Sequence, residues 1–560
     1  MTTKPDKMAT MTKKIRMVVR FAFMVISIAN LRLGRQEMSL SVGKDFFPYF
    51  YWQRTLEDMN KQLRRLIMLT CLMLLIVLFL FVFLVRRPFT IAITRFEKSP
   101  LSALAVIETR EATQVSLIIR GRNHDDLPVT FAGYETYHEI PMLALYPDSE
   151  NEVEFHLVAE DGRLYKETVH IKTDPLPETF PEIGYERLLP EQIAEGFTFL
   201  HLGHYDAEGN YRALPSAVDS YGAVRWFYQG DIGHVMKMTG QGTLLIQEGS
   251  SLVEIDLLGR TIRTLPPLMY GLHHDVSIME NGNILALSTA PSSFEDGVVE
   301  LDGETGQYLQ GWDFRDILDK DRPPLPRNLE PSDWLHLNGI DYNSRDDSFI
   351  VSGRDQSTVA EIDRKSGDLR WILGNHELWN ESFQPYLLYL AGDPFAWQWG
   401  QHAPMVHPEQ QGRVLLYDNG NERSCTDPLD PSENYSRAVE YEIDEASMTV
   451  RQVWEYGTKN GSSTFTPFIG DANYLENGNR LICFGGITKN LEGDAVELFD
   501  FANNSLHDMK ISAKVIEVTA DNPAKEVLMF SFNDPDPASY AGYRVYQAER
   551  YPLYHPALLQ

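Results

Sequence analysis

A short unit recurs through the last two thirds of the chain, and it constrains the fold more than any other feature. The unit is a strand-like run ending in Asp, a turn that usually contains Gly, and a second run that often ends in an aromatic residue. Its six copies are Asp219-Ser-Tyr-Gly222, Asp256-Leu-Leu-Gly259, Asp302-Gly-Glu-Thr-Gly306, Asp363-Arg-Lys-Ser-Gly367, Tyr441-Glu-Ile-Asp444 and Leu498-Phe-Asp500. The copies lie roughly 40 to 80 residues apart, which is typical of four-stranded propeller blades with inserted loops. We therefore predict a mainly β chain with a six-bladed β-propeller over residues 190–560. The uneven spacing leaves five or seven blades open.

A companion hairpin supports the same architecture. Glu280-Asn-Gly-Asn283 and Glu476-Asn-Gly-Asn479 both carry the Asn-Gly signature of a type I′ turn. Before the propeller, residues 88–185 alternate β-type runs such as 115–119 and 153–158 with turns, among them Glu160-Asp161-Gly162. Roughly ninety residues of this kind predict a small β-sandwich domain.

The N-terminal region is basic and then apolar. Residues 1–65 contain 13 Lys and Arg against 5 Asp and Glu. Residues 66–85 carry no charge, which matches a bilayer-spanning helix. No small-residue cleavage site follows, so the pattern predicts an anchor rather than a signal peptide. The basic segment predicts a cytoplasmic N-terminus. The expected location is thus the inner (cytoplasmic) membrane, single-pass, with the remaining chain periplasmic or extracellular. Whether residues 1–37 belong to the mature chain stays open.

The rest of the chain is strongly acidic, since the whole carries a net charge of -29 although its first segment is basic. Such a body repels phosphates, which argues against nucleic acid as a partner. It does not exclude a small anionic substrate in a local cationic pocket. The three cysteines show no metal-like spacing, and a disulfide between Cys425 and Cys483 stays open.

One stretch with three different polar groups indicates an anion site. If residues 333–338 form a strand, His336 and Asn338 project from the same face. A second strand is predicted at Ser348–Ser352, and Arg354 follows its end. An imidazole, an amide and a guanidinium on one hairpin are suited to a tetrahedral oxyanion.

Two further histidine motifs occur in the neighbouring repeat units, His273-His274-Asp275 and Gln401-His402. A single histidine of this kind is more often structural than functional. Three consecutive units with a histidine at a comparable position are hard to explain by packing alone. Of the adjacent pair, one side chain must point away from the channel if the segment is extended.

These motifs carry a family resemblance. The matching elements are His274-Asp275 before Asn281-Gly282, Trp334-Leu-His336-Leu-Asn338, Asp346-Asp347, Ser352-Gly353-Arg354, Gln401-His402, Asp418-Asn419-Gly420, Arg423, Tyr435-Ser436-Arg437 and Trp454-Glu455-Tyr456-Gly457. The chain resembles the bacterial aryl-sulfate sulfotransferases that work without a nucleotide donor, over most of residues 90 to 500. The resemblance implies a six-bladed propeller behind a β-sandwich involved in homodimerisation. It also implies that His402 is the nucleophile, with His274, His336, Asn338 and Arg354 around the sulfate, and that no cofactor is needed.

The implied reaction moves a sulfuryl group from a phenolic sulfate ester to a phenol by a ping-pong mechanism through a sulfohistidine. A neutral imidazole can attack sulfur while Arg354 holds the oxygens. The neighbouring guanidinium disfavours protonation of His402. A second histidine, His336 or His274, can protonate the leaving phenolate, whose conjugate acid has a pKa of about 10. We choose His274 over His273 on the family match.

Other interpretations stay open. Histidine clusters often bind metals, but Arg354 would repel a cation, so no metal is expected. Trp397, Trp399 and Tyr417 are candidates to stack on aryl rings, although such residues are more often propeller core. The alternative function is a non-catalytic extracytoplasmic propeller that acts as a binding or scaffold module. No phosphate loop of the GxxxxGK type indicates a nucleotide donor.

Overall fold

The protein is described here by a computed structural model, in residues 61–63, 65–77, 88–122, 125–206, 210–291, 293–324, 333–496, 509–533 and 541–560. The chain is mainly β. Contact analysis divides it into one unit over Met1–Arg87 and one over Pro88–Gln560.

The structure corrects the predicted membrane location. Residues 61–63 and 65–77 are helical. Among the described residues, no helix has the length and apolar character needed to cross a membrane. The single-pass inner-membrane location is therefore contradicted. Residues 1–60 and 78–87, on which the rest of the predicted basic segment and anchor fall, lie outside the described residues.

Six strands form a sheet at the start of the second unit. They are β1 Phe89–Arg95, β2 Ala103–Ile119, β3 Leu127–Thr130, β4 Glu135–Met142, β5 Ser149–Ala159 and β6 Leu164–Thr173. The long strand β2 joins the sheet, because β1 and β4 pair with its first half while β3 and β5 pair with its second. The predicted runs 115–119 and 153–158 lie in β2 and β5, and the predicted turn at Gly162 joins β5 to β6. Alternate residues such as Val115, Leu117 and Phe155 are buried, as the period-two pattern requires.

The remaining strands follow in groups along the chain. They are β7 Gly184–Arg187, β8 Phe197–Tyr205, β9 Tyr211–Ala213, β10 Ser216–Val218 and β11 Val224–Phe227; β12 Met236–Met238, β13 Leu244–Glu248, β14 Ser251–Ile255 and β15 Thr261–Thr264; β16 Val276–Ile278, β17 Ile284–Ala290, β18 Ser293–Leu301 and β19 Tyr308–Asp313; β20 Leu337–Asn343, β21 Ser348–Gly353, β22 Thr358–Asp363 and β23 Leu369–Gly374; β24 Tyr389–Leu390, β25 His402–Val406, β26 Arg413–Asp418, β27 Arg437–Asp444 and β28 Thr449–Tyr456; β29 Asp471–Tyr474, β30 Arg480–Asn490, β31 Met509–Val518, β32 Glu526–Phe532 and β33 Ala541–Tyr551. Short helical turns lie at Phe314–Ile317, Pro190–Gln192, Glu381–Tyr386, Pro431–Glu433, Thr458–Thr464 and Pro556–Leu559.

These strands form five sheets. Strands β12–β15, β16–β19 and β20–β23 make three four-stranded antiparallel meanders, and β25–β28 make a fourth with β24 at its edge. The fifth is a ten-stranded sheet of order β11-β10-β8-β33-β31-β30-β29, with β7, β9 and β32 off this path. Within the described residues, the pairing that joins its two halves is a two-residue parallel one between β31 and β33. Strands β16, β20 and β25, each the first of its meander, contact one another in that order, and the contacts continue from β25 to β29 and then to β33 of the fifth sheet. The starting ends of these strands bring together residues that are distant in the sequence.

The recurring Asp turn joins the last two strands of a meander. Asp302, between β18 and β19, accepts hydrogen bonds at Oδ1 from the Thr305 backbone N–H at 2.8 Å and from its hydroxyl at 2.6 Å. Gly306 closes this turn with a φ of 70°, a conformation that glycine adopts without strain. Asp219, Asp256 and Asp363 cap equivalent turns. The copy at 498–500 lies outside the described residues.

One local prediction is wrong. The stretch before β20 is not a strand, because the chain becomes extended only from Leu337. His336 has a φ of 54°, a left-handed conformation, so the alternation that would place it on one face with Asn338 does not apply. The second predicted strand is confirmed as β21. Cys425 and Cys483 are both free thiols.

Candidate active site

A cavity of about 420 Å³ opens where the first strands meet. Four of the residues singled out from the sequence line it together: His274, His336, Arg354 and His402. They come from three neighbouring sheets, as the motif positions predicted. The further lining residues are Tyr205, His234, Phe468, Ile469, Arg544 and Tyr546.

His402 begins β25 and is held by the residue before it. The side-chain amide of Gln401 donates to Ser352 Oγ at 2.9 Å and to the Thr358 carbonyl at 2.9 Å. The Gln401 carbonyl in turn accepts from Asn338 Nδ2 at 2.8 Å. Gly400 has a φ of 58°, and a Cβ there would come within 2.2 Å of Asn421 Oδ1, so only glycine fits. The backbone at His402 is thus tied to the adjacent hairpin.

A fixed amide decides which ring nitrogen of His402 carries the proton. Asn419 Nδ2 donates to the carbonyls of Thr466 and Ile469 at 2.8 and 2.7 Å, so Oδ1 must be the atom that faces the histidine. His402 Nδ1 lies 2.7 Å from that Oδ1. Because an amide oxygen only accepts, Nδ1 carries the hydrogen and Nε2 keeps its lone pair in the neutral ring.

His402 is also kept neutral. The residue is only 5% exposed. Burial, and then the charge of Arg354, lower the pKa of His402 to about 3, although the hydrogen bond to Asn419 acts in the opposite direction. Near neutral pH the side chain is therefore an uncharged imidazole with a free Nε2.

The surroundings of His336 shift its pKa in the opposite direction. Its Nδ1 lies 2.5 Å from Asp333 Oδ2 and 3.2 Å from Glu295 Oε2. Burial opposes the charged form, but the hydrogen bond to Asp333 and the charges of Asp333, Asp355 and Glu295 raise the pKa of His336 to about 9. The ring is a cation at neutral pH, with Nε2–H left free by the Nδ1 contacts. The left-handed backbone here is supported by the backbone N–H of His336, which donates to Asp296 Oδ1 at 3.2 Å.

A row of aromatic rings extends from His336 across the cavity. The centroid of His274 lies 4.8 Å from that of His336 and 5.0 Å from that of His234, and His234 lies 4.8 Å from Tyr546. Burial, and then the charge of His336, lower the pKa of His274 well below its usual value. His273, the other member of the pair, is buried outside the cavity lining with its Nδ1 3.0 Å from His274 Nδ1.

Arg354 follows β21 and lies beside His402, which is neutral, and His336, which is charged. Its backbone N–H donates to the His336 carbonyl at 3.1 Å, and its Nη1 donates to Asp355 Oδ1 at 2.6 Å. One side of the guanidinium is thus oriented by a carboxylate while the group lines the cavity.

The other predicted residues lie behind the cavity wall. Asn338 does not line it and is 3% exposed, with its amide nitrogen on the Gln401 carbonyl. Tyr417 is fully buried against Phe484, and Trp397 packs on Phe395. These aromatic residues belong to the hydrophobic core, as does the 7% exposed Trp399. The apolar lining comes instead from Phe468, Ile469 and the two tyrosines.

Sequence reasoning missed several residues of the site. Asp333 and Asn419 stand inside the motifs quoted above, and their spacing from a histidine or a strand end was the available signal. No sequence signal identified Glu295, because its carboxylate reaches the histidines through a register shift in the β17–β18 pairing and a backbone φ of 55°. Arg544 and Tyr546 come from the last strand, β33, which pairs with β8, a strand more than 300 residues earlier in the chain.

The acidic residues raise the question of a metal. Glu295 has ligand atoms within 4.8 Å of those of His273 and His274, and also of those of Asp333 and His336. The distances suit a cation. However, the ring of His336 holds a proton at neutral pH, and Arg354 brings a further positive charge. A cation bound here would have to displace that proton and overcome the repulsion of Arg354.

Comparisons with known proteins agree with these motifs. The family model described as arylsulfotransferase (ASST) matches residues 185–544, and the one described as arylsulfotransferase Ig-like domain matches residues 92–174. Arylsulfate sulfotransferase AssT of Escherichia coli O6:H1 strain CFT073 is 26% identical over 544 residues, covering 76% of this chain and 88% of that protein. Arylsulfate sulfotransferase AssT of Lelliottia amnigena is 25% identical over 511 residues, covering 71% and 84%.

Proposed function

Because the chain belongs to the arylsulfotransferase family, we propose that its cavity transfers a sulfuryl group from a phenolic sulfate ester to a phenol through a covalent intermediate on His402. The family membership confirms the resemblance carried by the sequence motifs, and it is a family of enzymes. The reaction path and the role of each residue are the parts proposed here.

The observation that carries the proposal is the state of His402. Its Nδ1–H is committed to Asn419, whose amide is fixed by two carbonyls, so Nε2 is the only free lone pair of the ring. A pKa of about 3 means that this lone pair is unprotonated over the whole neutral range. An enclosed neutral imidazole with a fixed tautomer is a nucleophile that needs no base.

In the first half-reaction, Nε2 of His402 attacks the sulfur of the aryl sulfate. The N–S bond forms while the bond from sulfur to the aryl oxygen breaks, and the electron pair leaves with the phenolate. The Nε2 proton of His336 passes to that oxygen, so a neutral phenol departs. Arg354 and His274 hold the non-bridging oxygens, on which negative charge is spread during transfer.

The second half-reaction reverses these roles. An acceptor phenol gives its proton to the now neutral His336, and its oxygen attacks the sulfur. The new S–O bond forms as the N–S bond breaks, and the electron pair returns to Nε2 of His402. Asn338 has a positioning role in this scheme, since it binds the carbonyl that precedes the nucleophile.

We further propose that residues 190–560 form six blades around this cavity. The four meanders supply four blades. The weak two-residue link in the ten-stranded sheet supports its division into two more, one built on β8 with β10, β11 and β33, the other on β29–β32 with β7. The contacts from β16 through to β33 support a ring, and the ion pairs of Lys237 in β12 with Asp275 beside β16 and with Glu549 in β33 support its closure. A separate domain over 88–185 and its use in a homodimer stay predictions.

The test is to trap the intermediate. Incubation with 4-nitrophenyl sulfate alone should add one sulfuryl group to the peptide that contains Trp399-Gly-Gln-His402, detected as a mass shift that is acid-labile and lost when phenol is added. Steady-state kinetics should be ping-pong, because the donor phenol leaves before the acceptor binds. His402→Ala should abolish label and transfer.

His407→Ala is the matched control, since His407 lies in the next few residues of the chain but outside the cavity lining. Its label should equal that of the wild type. Label on His274 or His336 would keep the enzyme class and overturn the roles proposed here. Sequential kinetics with no label on any histidine would defeat the covalent mechanism.

A further inference from the structure

A second arginine lines the cavity, and nothing in the proposed mechanism uses it. Arg544 lies in β33, with its guanidinium 4.3 Å from the ring centroid of Tyr211 and 5.2 Å from that of Tyr205. Among the residues that the structure describes, no carboxylate forms an ion pair with it, whereas Arg354 pairs with Asp355. Its Nε is buried and has no hydrogen-bond partner in the same part of the chain. The half-buried guanidinium is stabilised by a hydrogen bond to Tyr211 and by the nearby tyrosine rings rather than by an anion, so an anionic group of a ligand would be a favourable partner for it.

Stacking on tyrosine does not by itself indicate a ligand site. Arg187 lies 3.9 Å from the ring centroid of Tyr221, and its Nε is also buried without a hydrogen-bond partner. Arg187, however, does not line the cavity, and Arg544 does. The difference between the two arginines is access to the space where substrate binds.

The two cavity arginines lie near different groups. Burial and then the charge of Arg354 depress the pKa of His402, while burial and then the charge of Arg544 depress that of His234 to about 4. His234 is separated from His336 by the ring of His274. Arg544 is therefore close to the His234 end of this row, where Tyr546 of the same strand has its ring centroid 4.8 Å from that of His234. The sulfate of an aryl ester is a monoanion, and Arg354 with His336 already supplies two positive charges to it.

We propose that this cavity selects aryl sulfates and phenols whose ring carries a second anionic substituent, such as a carboxylate, and that Arg544 binds that substituent. The planar guanidinium matches a carboxylate with two parallel hydrogen bonds. A benzene ring places a meta or para substituent on the side of the substrate away from the reacting oxygen, so a sulfate held by Arg354 would leave that substituent to other residues of the cavity lining, among which Arg544 is a cation. The inference rests on the proposed sulfuryl transfer and names the substrate class of the same site.

The test compares acceptors of equal shape and different charge. With 4-nitrophenyl sulfate as donor, kcat/KM is measured for 4-hydroxybenzoate and 4-hydroxybenzamide, and for their meta isomers. The wild type should prefer one of the carboxylates over its amide. In Arg544→Gln this preference ratio should fall by about 10- to 100-fold, the size of a charge-assisted hydrogen bond. Using a ratio cancels any general loss of activity.

Arg544→Lys should retain part of the preference, because the charge remains and the fork is lost. Arg187→Gln is the matched control, an arginine with the same stacking and the same orphaned nitrogen away from the cavity, and it should leave the ratio unchanged. An equal preference ratio in the wild type and in Arg544→Gln would overturn the inference. Equal kcat/KM values of the wild type for the carboxylate and its amide would also overturn it, and this second measurement does not require that the variant folds. If the wild type transfers nothing to either acceptor, the proposed function fails instead.

Discussion

His402 and His336 line the same cavity, and burial opposes a positive charge on both, yet their pKa values are about 3 and about 9. The wall that holds His402 offers its Nδ1 an amide oxygen, that of Asn419. The wall that holds His336 offers its Nδ1 two carboxylates, those of Asp333 and Glu295. The amide fixes a tautomer and favours the charged form less than burial and Arg354 oppose it, whereas the carboxylates outweigh burial and stabilise the imidazolium.

The difference assigns complementary tasks to one residue type. A nucleophile needs a lone pair, and a proton donor to a leaving phenolate needs a proton that persists at neutral pH. The neighbours of each ring provide these states before substrate arrives. Pairs of titratable groups with pKa values displaced in opposite directions are typical of acid–base sites.

The largest effect should follow from removing the proton donor. His336→Ala should lower kcat with phenyl sulfate by about 10²- to 10⁴-fold, the usual contribution of general acid catalysis. The loss should be much smaller with 4-nitrophenyl sulfate, because its more acidic phenol leaves without a proton. In the wild type, turnover of phenyl sulfate should fall as pH rises through about 9, where His336 loses its charge. Equal losses with both donors would show that the two histidine walls do not differ in this way.

Arg354 lies beside both histidines, and a substitution there distinguishes the effect of its positive charge from the effect of its planar shape. Arg354→Lys keeps a positive charge near His402 but loses the planar fork, so turnover should drop by about 10²-fold or more, the scale of losing one oxyanion donor. The acid side of the pH–rate profile should not move, because the charge that helps to keep His402 neutral remains. Turnover like that of the wild type would place the sulfate elsewhere.

How far the sequence predicts this molecule depends on the range of the interactions. The Asp turns, the Asn-Gly hairpins and strands such as β21 are determined by a few consecutive residues, so their patterns could be read directly. The grouping of His274, His336 and His402 was predictable because equivalent positions in repeated units come together. The membrane location rested on the hydropathy of one stretch, and no helix among the described residues has the length and apolar character to cross a membrane.

The features of the site that the sequence did not predict depend on backbone conformations and on strands that are distant in sequence. The order His336, Leu337, Asn338 gave the appearance of alternation, but the left-handed conformation at His336 is supported by Asp296, a residue of another sheet that accepts its backbone N–H. Asp333 and Glu295 then determine the charge of that ring. Arg544 enters from the last strand, some 190 residues beyond Arg354 in number. None of these contacts is visible in a local pattern.

A third substitution should give His402 the same kind of hydrogen-bond partner that His336 has. Asn419→Asp puts a carboxylate on Nδ1 of His402, as Asp333 does for His336, so the pKa of His402 should rise. Activity at pH 6 should then fall by about tenfold for each pKa unit above the assay pH and recover at higher pH. Asn421→Asp is the control, since its amide also binds a carbonyl, that of Pro467, but not His402. Melting temperatures of both variants would show whether folding is retained. An unchanged acid limb in a folded Asn419→Asp enzyme would contradict the proposed electrostatic difference.

The smallest effect concerns the second carboxylate of the His336 wall. Glu295 lies 3.2 Å from His336 Nδ1, against 2.5 Å for Asp333, and burial raises its own pKa to about 7, so it is only partly charged near neutrality. Glu295→Gln should therefore move the basic limb of the phenyl sulfate profile to lower pH by less than about one unit. Asp333→Asn should move it further, because it removes the hydrogen-bonded charge. The measurement is the pH dependence of kcat for the wild type and both variants. A larger shift in Glu295→Gln than in Asp333→Asn would mean that Glu295, held in its left-handed backbone conformation, is the main partner of the imidazolium.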